Sequence, residues 1–137
     1  MRDYPVDPAR VYIAGLSAGG AAAAIVAAAY PDIFSAVGVH SGLPVGAAGV
    51  VAGDVASAFS AMRNGAPGQP LRSPVPTIAF HGCADTTVHP GNGSAVIAQS
   101  LHNRPALTRV TRRHTFPNGR SYRRTLHTHA DGRPLAD

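Results

Sequence analysis

The 137-residue sequence predicts an α/β fold, a mostly parallel sheet with helices on both faces. Three observations predict it. Three short apolar runs, VYIA at 11–14, AVGVH at 36–40 and PTIAF at 76–80, are each bounded by glycine, proline or polar residues, as buried strands are. Helix-forming stretches alternate with them, the pattern of a parallel sheet with helical crossovers. The length and a 45% hydrophobic fraction suit one globular domain.

Each element has a local cause. The first strand, 11–14, follows the turn-rich YPVDPAR and runs into Gly15. Residues 18–29 are mostly alanine, the strongest helix former. Pro31 ends that helix, because proline disfavours helical geometry in the residue before it. The second strand, 36–40, is followed by a Gly/Pro/Ala-rich loop over 41–53. Asp54 is placed to cap a helix running to about Arg63. The third strand, 76–80, leads into His81-Gly82-Cys83-Ala84-Asp85, and Pro90 opens a third helix to about His102. Strands at 107–111 and 121–128 face each other across the turn 116–119, and Asp131-Gly132 marks a further turn.

Charge is carried by few residue types. The chain has no lysine and no glutamate; twelve arginines and seven aspartates give +5. Six arginines, at 109, 112, 113, 120, 123 and 124, fall on the predicted hairpin. They read as a solvated face: Phe116 and Tyr122 are too few aromatics for a nucleic-acid stacking platform. Cys83 is the lone cysteine, so no internal disulfide forms. No run of 18 apolar residues spans a membrane, and the first ten residues lack the apolar segment of a signal peptide.

Chemistry is expected at the carboxyl ends of the strands, where open α/β sheets bind ligands. Gly15-Leu16-Ser17-Ala18-Gly19 fits Gly-x-Ser-x-Gly between a strand and a helix. A sharp strand-to-helix turn presses backbone segments together, so the two flanking positions are expected to require glycine. The turn presents Ser17 as a nucleophile. The following helix directs its free N–H groups at the site, and that of Ala18 is the expected oxyanion donor. A phosphate-binding loop is disfavoured because its lysine is absent. Asp85 is the expected carboxylate that orients a general-base histidine. His89, His102, His114, His127 and His129 follow it, and none is well placed. His89 is too near Asp85, His102 ends a helix and His114 lies in the hairpin. His127 and His129 end a strand without a glycine-rich loop. Two histidines of His-x-His spacing do not make a metal site, so no metal is expected.

The segments GLSAGG at 15–20, GVHSGLPVGAAG at 38–49 and AFHGCADTTVHPGNG at 79–93 resemble the polyhydroxybutyrate depolymerase family of esterases. The resemblance spans about residues 7–134. It implies the α/β-hydrolase fold, near the feruloyl and acetylxylan esterases. It implies Ser17 as nucleophile, Asp85 as triad acid and an acyl-enzyme route with no cofactor. The implied partner is a polyester or small ester substrate, not nucleic acid or a membrane, and the implied location is extracellular. The family carries further strands before this motif and its triad histidine after the equivalent of 129–137. The chain is therefore expected to form one partial domain over 1–137, its triad histidine lying beyond Asp137. The first strand is expected to be an open edge, which lowers stability and invites association. The alternatives are an inactive fragment of the same fold, a feruloyl or acetylxylan type of esterase, and a basic polyanion-binding module.

Overall fold

A computed structural model describes residues 5–49, 54–104 and 107–137. Six strands form one mixed sheet: β1 (Tyr12–Leu16), β2 (Ala36–His40), β3 (Thr77–Phe80), β4 (Thr108–Thr115), β5 (Ser121–Thr128) and β6 (Pro134–Ala136). Their spatial order is β1-β2-β3-β6-β5-β4. The first four positions are mutually parallel, and β5 and β4 continue the sheet antiparallel. The α/β class and the largely parallel sheet are as the sequence predicts. Three helices, α1 (Ala18–Ala29), α2 (Val55–Asn64) and α3 (Gly91–Leu101), fall where the sequence places them.

The helices differ from expectation in which face they cover. Ala23, Ala24 and Ala27 of α1 and Val96 of α3 pack with Val37 and Val39 of β2 in one buried cluster. Alternate residues of a strand share a face, so both helices lie on the Val37/Val39 side. Among the described residues the other side is bare: Tyr12, Leu16 and Phe80 are 63%, 61% and 56% exposed. The expected helices on both faces are therefore reduced here to helices on one. β1 is an edge strand, as anticipated.

α1 lies close on the sheet because its inward residues are small. Gly20, Ala23, Ala24 and Ala27 are its buried positions, one helical face at i, i+3, i+4 and i+7. α2 starts as expected: the Asp54 carboxylate accepts the Ser57 N–H at 3.0 Å. α2 is tied to α3 through Asn92, whose side chain is wholly buried. Its amide donates to the Ala61 and Met62 carbonyls at 3.0 and 3.3 Å and accepts from Ala66 N–H at 3.1 Å. Gln99 does the same for two loops, accepting from Val45 N–H and donating to the Val45 and Gln69 carbonyls. Among the described residues no buried side-chain polar atom lacks a partner, which is what burying such groups demands.

Three boundaries depart from the sequence reading. β1 extends two residues further, through Gly15 and Leu16, because they pair with Val39 and His40 of β2. β4 runs to Thr115 rather than 111, bringing the arginines into the ladder. β6 was not anticipated; it pairs with β3 and β5. Of the loop expected over 41–53, residues 50–53 lie outside the described residues. In the hairpin, Arg112 stands opposite Arg124 and Arg113 opposite Arg123. Like charges directly opposite destabilise a ladder. Arg124 is offset by an ion pair with Asp137.

Candidate active site

Parallel register sets the site. Leu16, His40 and Phe80, the last residues of β1, β2 and β3, stand level with one another. Ser17, Ser41 and His81 therefore leave the sheet side by side. Strands sit ~4.8 Å apart, so β1 and β3 are separated by about 10 Å.

Ser17 occupies the corner between β1 and α1. Its φ of 56° and ψ of −121° lie outside the regions open to L-residues, a conformation that costs about 1–3 kcal/mol. Packing holds it there. The Ser17 N–H donates to the His40 carbonyl at 2.8 Å, and its own carbonyl accepts Ala21 N–H at 3.1 Å. Its hydroxyl does not cap α1, so it is not spent on the helix. Ser17 and Ala18 are both exposed. As first residue of α1, Ala18 has an N–H with no intrahelical acceptor, at the positive end of the helix dipole.

Close approach at this corner involves a different glycine pair from the one expected. A Cβ on Gly15 would stand 2.1 Å from the Gly19 carbonyl oxygen and 2.7 Å from Gly20 N. Gly15 is thus obligatory. A Cβ on Gly19 would meet nothing within 4 Å, whereas one on Gly20 would stand 3.0 Å from the Gly15 carbonyl oxygen and 3.2 Å from that of His40. The first helical turn lies over β1 and β2 through Gly20, leaving Gly19 facing outward. The expectation that Gly19 is sterically required is corrected accordingly.

Asp85 is half-buried in the loop between β3 and α3. Its Oδ1 accepts the N–H groups of Thr87 at 3.0 Å and Val88 at 2.9 Å. These bonds, Val88 first, hold the carboxyl below its ordinary value against the opposing effect of burial; the Ser41 hydroxyl and the charge of His81 act in the same sense more weakly. Oδ2 lies 3.5 Å from His81 Nε2. That nitrogen donates to the Val88 carbonyl at 2.9 Å, so His81 braces the loop, and Oδ2 is the less committed oxygen.

The five histidines considered from sequence are placed elsewhere. His89 Nδ1 accepts the Gly91 N–H at 3.0 Å. His102 terminates α3. His114 stacks on Tyr122 with centroids 4.9 Å apart. His127 stands opposite Arg109 in β4, and burial first, then the Arg109 charge, lowers its pKa. The His129 N–H closes a turn onto the Arg133 carbonyl. Among the described residues, His81 is the histidine beside Asp85, and no group of three or more metal-ligating side chains occurs. β6 runs parallel to β3, and Ala79 N–H donates to the Asp137 carbonyl at 2.8 Å. The strand thus heads toward the end of the sheet that carries Ser17 and Asp85. Sequence reasoning missed Ser41 and His81, the residues leaving β2 and β3 beside Ser17; the only local sign of Ser41 was its place after a strand and before a glycine.

The sequence matches the family described as Esterase PHB depolymerase over residues 1–132. It is 32% identical over 111 residues to poly(3-hydroxyalkanoate) depolymerase C of Paucimonas lemoignei, which covers 71% of this chain and 26% of that protein. It is 41% identical over 58 residues to poly(3-hydroxybutyrate) depolymerase of Ralstonia pickettii, covering 42% of this chain and 12% of that one. It is 31% identical over 108 residues to acetylxylan esterase A of Aspergillus awamori, covering 65% and 34%. The chain therefore spans about a third or less of the length of these relatives. Among the described residues no helix is long and apolar enough to cross a membrane.

Proposed function

Because this chain belongs to the esterase PHB depolymerase family, we propose that it carries the nucleophile and acid of an extracellular serine esterase acting on poly(3-hydroxyalkanoate)-type esters. The observation that carries this reading is Ser17 itself: an exposed hydroxyl on a strained strand-to-helix corner, uncommitted to capping its helix. Nothing in ordinary helix formation calls for that geometry, and such strain persists where surroundings enforce it.

The chemistry follows from the positions. Ser17 Oγ attacks the ester carbonyl carbon while its proton passes to a general-base histidine that Asp85 Oδ2 would orient; His81, whose Nε2 is bound to the Val88 carbonyl, is not assigned that role. The carbonyl oxygen becomes an oxyanion, and the Ala18 N–H at the positive end of α1 donates to it. The intermediate collapses, the C–O bond to the alcohol breaks, and the histidine returns the proton to the leaving oxygen. The acyl group remains on Ser17 until water, activated by the same histidine, releases the acid. Asp85 stays ionised throughout, as its two backbone N–H bonds favour. None of the histidines at 89, 102, 114, 127 and 129 is assigned the base role.

A second reading, deacetylation of a polysaccharide, is supported by the likeness to the acetylxylan esterase. Acyl length separates the two. Burying two more methylenes favours a butyryl over an acetyl ester by about 1.6 kcal/mol, roughly tenfold in kcat/KM. The polyester reading expects that preference in p-nitrophenyl esters, together with cleavage of 3-hydroxybutyrate oligomers. Preference for the acetyl ester, with release of acetate from acetylated xylan, would move the assignment to the second reading.

A further inference from the structure

We propose that the tip of the β4–β5 hairpin anchors the chain to anionic phospholipid surfaces. The inference uses none of the residues of the esterase reading and goes beyond the expectation of no membrane partner. Alternate rungs of a two-stranded ribbon point to opposite faces. The rung Arg112–Arg124 lies on one face and the next rung, Arg113–Arg123, on the other. The four arginines thus form a collar around the ribbon. Beyond the collar lies an aromatic tip. His114 stacks on Tyr122 with centroids 4.9 Å apart, and Phe116 meets Tyr122 at 5.7 Å. All three rings are exposed, so they cluster with one another and not within the core. The sequence reading of a solvated face counted Phe116 and Tyr122 alone; the structure adds His114 and gathers the rings at one end.

The collar has charge to spare. Arg124 pairs with Asp137. Among the described residues no carboxylate forms an ion pair with Arg112, Arg113 or Arg123, and Arg113 reaches only the Ser121 hydroxyl, at 3.3 Å. Arg113 opposite Arg123 is a rung of like charges, which weakens the ladder. Phosphate oxygens bound by these guanidinium forks offset that repulsion. Shape selects the source of the phosphates. A single nucleic-acid strand runs along one groove and stacks its bases on rings spaced beside it. Here arginines project from both faces at one level, and the rings stand together past them. A lipid surface meets such a ribbon end-on. The rings enter the interface, where aromatic side chains reside, and guanidiniums on every side reach the headgroups. The lengths agree. Phe116 is three residues beyond Arg113, about 10 Å of extended chain, and interfacial elements sit roughly 5–10 Å deep. The tip is also preformed: Gly119 N–H donates to the Phe116 carbonyl at 2.9 Å, and Phe116 N–H to that of Arg120 at 2.7 Å.

The test is co-sedimentation of the whole chain with vesicles of phosphatidylcholine alone and of an equal mixture with phosphatidylglycerol. The chain should sediment with the mixed vesicles, less so at high salt, and not with phosphatidylcholine alone. Two double variants locate the contact. Arg113→Ala with Arg123→Ala removes the repulsive rung, so the hairpin is retained, and binding should fall about 30-fold, the effect of two charges near an anionic surface. Phe116→Ser with Tyr122→Ser should lower binding about tenfold or more while leaving its salt dependence. All four residues are exposed, and circular dichroism checks that each variant keeps the fold. Absence of binding to the mixed vesicles, equal sedimentation with both vesicle types, or binding unmoved by either variant overturns the proposal. Binding unmoved by both would belong to the exposed Tyr12, Leu16 and Phe80 face. Capture of unrelated single-stranded DNA in place of vesicles would assign the arginines to nucleic acid and overturn it as well.

Discussion

Gly15→Ala is expected to cost at least about 3 kcal/mol, the upper range for forcing an atom into a packed site, and so to remove much of the stability of a marginal domain. The added Cβ would sit 2.1 Å from the Gly19 carbonyl oxygen and 2.2 Å from Gly19 C. Both are backbone atoms of the first turn of α1, so no rotamer change relieves the contact. The chain must open the β1–α1 corner, and with it the Ser17 N–H bond to His40. Gly19→Ala is the matched control. Its Cβ meets nothing within 4 Å, and replacing a helical glycine by alanine gains about 0.5–1 kcal/mol. Urea unfolding of the two variants checks the pair: the midpoint should fall steeply for Gly15→Ala and hold or rise for Gly19→Ala. Equal midpoints would mean that the corner is not packed as described.

Asp85→Asn is expected to lower Ser17-dependent hydrolysis by up to about 10⁴-fold, the scale found when the orienting carboxylate of a Ser-His-Asp enzyme becomes an amide. The loop should survive, because an amide oxygen can still accept the Thr87 and Val88 N–H bonds now made to Oδ1. What is lost is the charge that stabilises the imidazolium. The same substitution carries a pH signature. The folded-state pKa of Asp85 is lowered below 3.8, first by the Val88 and then by the Thr87 bond. Its stabilising effect is therefore complete above the unfolded value and is lost as pH falls through the folded one. Melting temperature measured from pH 5 downward should show a smaller acid-induced decrease in Asp85→Asn than in the wild type. A variant with full activity, or with an unchanged acid profile, would remove Asp85 from its assigned role.

Local signals made Ser17 and Asp85 legible. An apolar strand, a Gly-x-Ser-x-Gly turn and an alanine helix are contiguous, so register alone brings Ser17 to the sheet end; Asp85 follows another apolar strand in the same way. The features missed depend on distant pairing. β6 is three residues long and begins with proline, and it becomes a strand only beside β3 and β5. The one-sided helix layer was hidden because α1 is nearly uniform in alanine and glycine, which leaves no apolar stripe to show a facing direction. Gly19 and Gly20 are indistinguishable in sequence, and only the lie of the helix over His40 and Gly15 separates them. Serine has no propensity for positive φ, so Ser41 carried no local mark of its conformation.

The central claim is that Ser17 is a nucleophile presented by the β1–α1 corner. The direct measurement is hydrolysis of p-nitrophenyl butyrate by this chain beside Ser17→Ala, both shown to be folded, with and without added imidazole. Imidazole is a small diffusible base that tests whether a supplied imidazole can take the proton from Ser17. The account predicts release above the Ser17→Ala control, with the Ser17-dependent part largest when imidazole is present. Equal release by the two folded proteins under both conditions would contradict it.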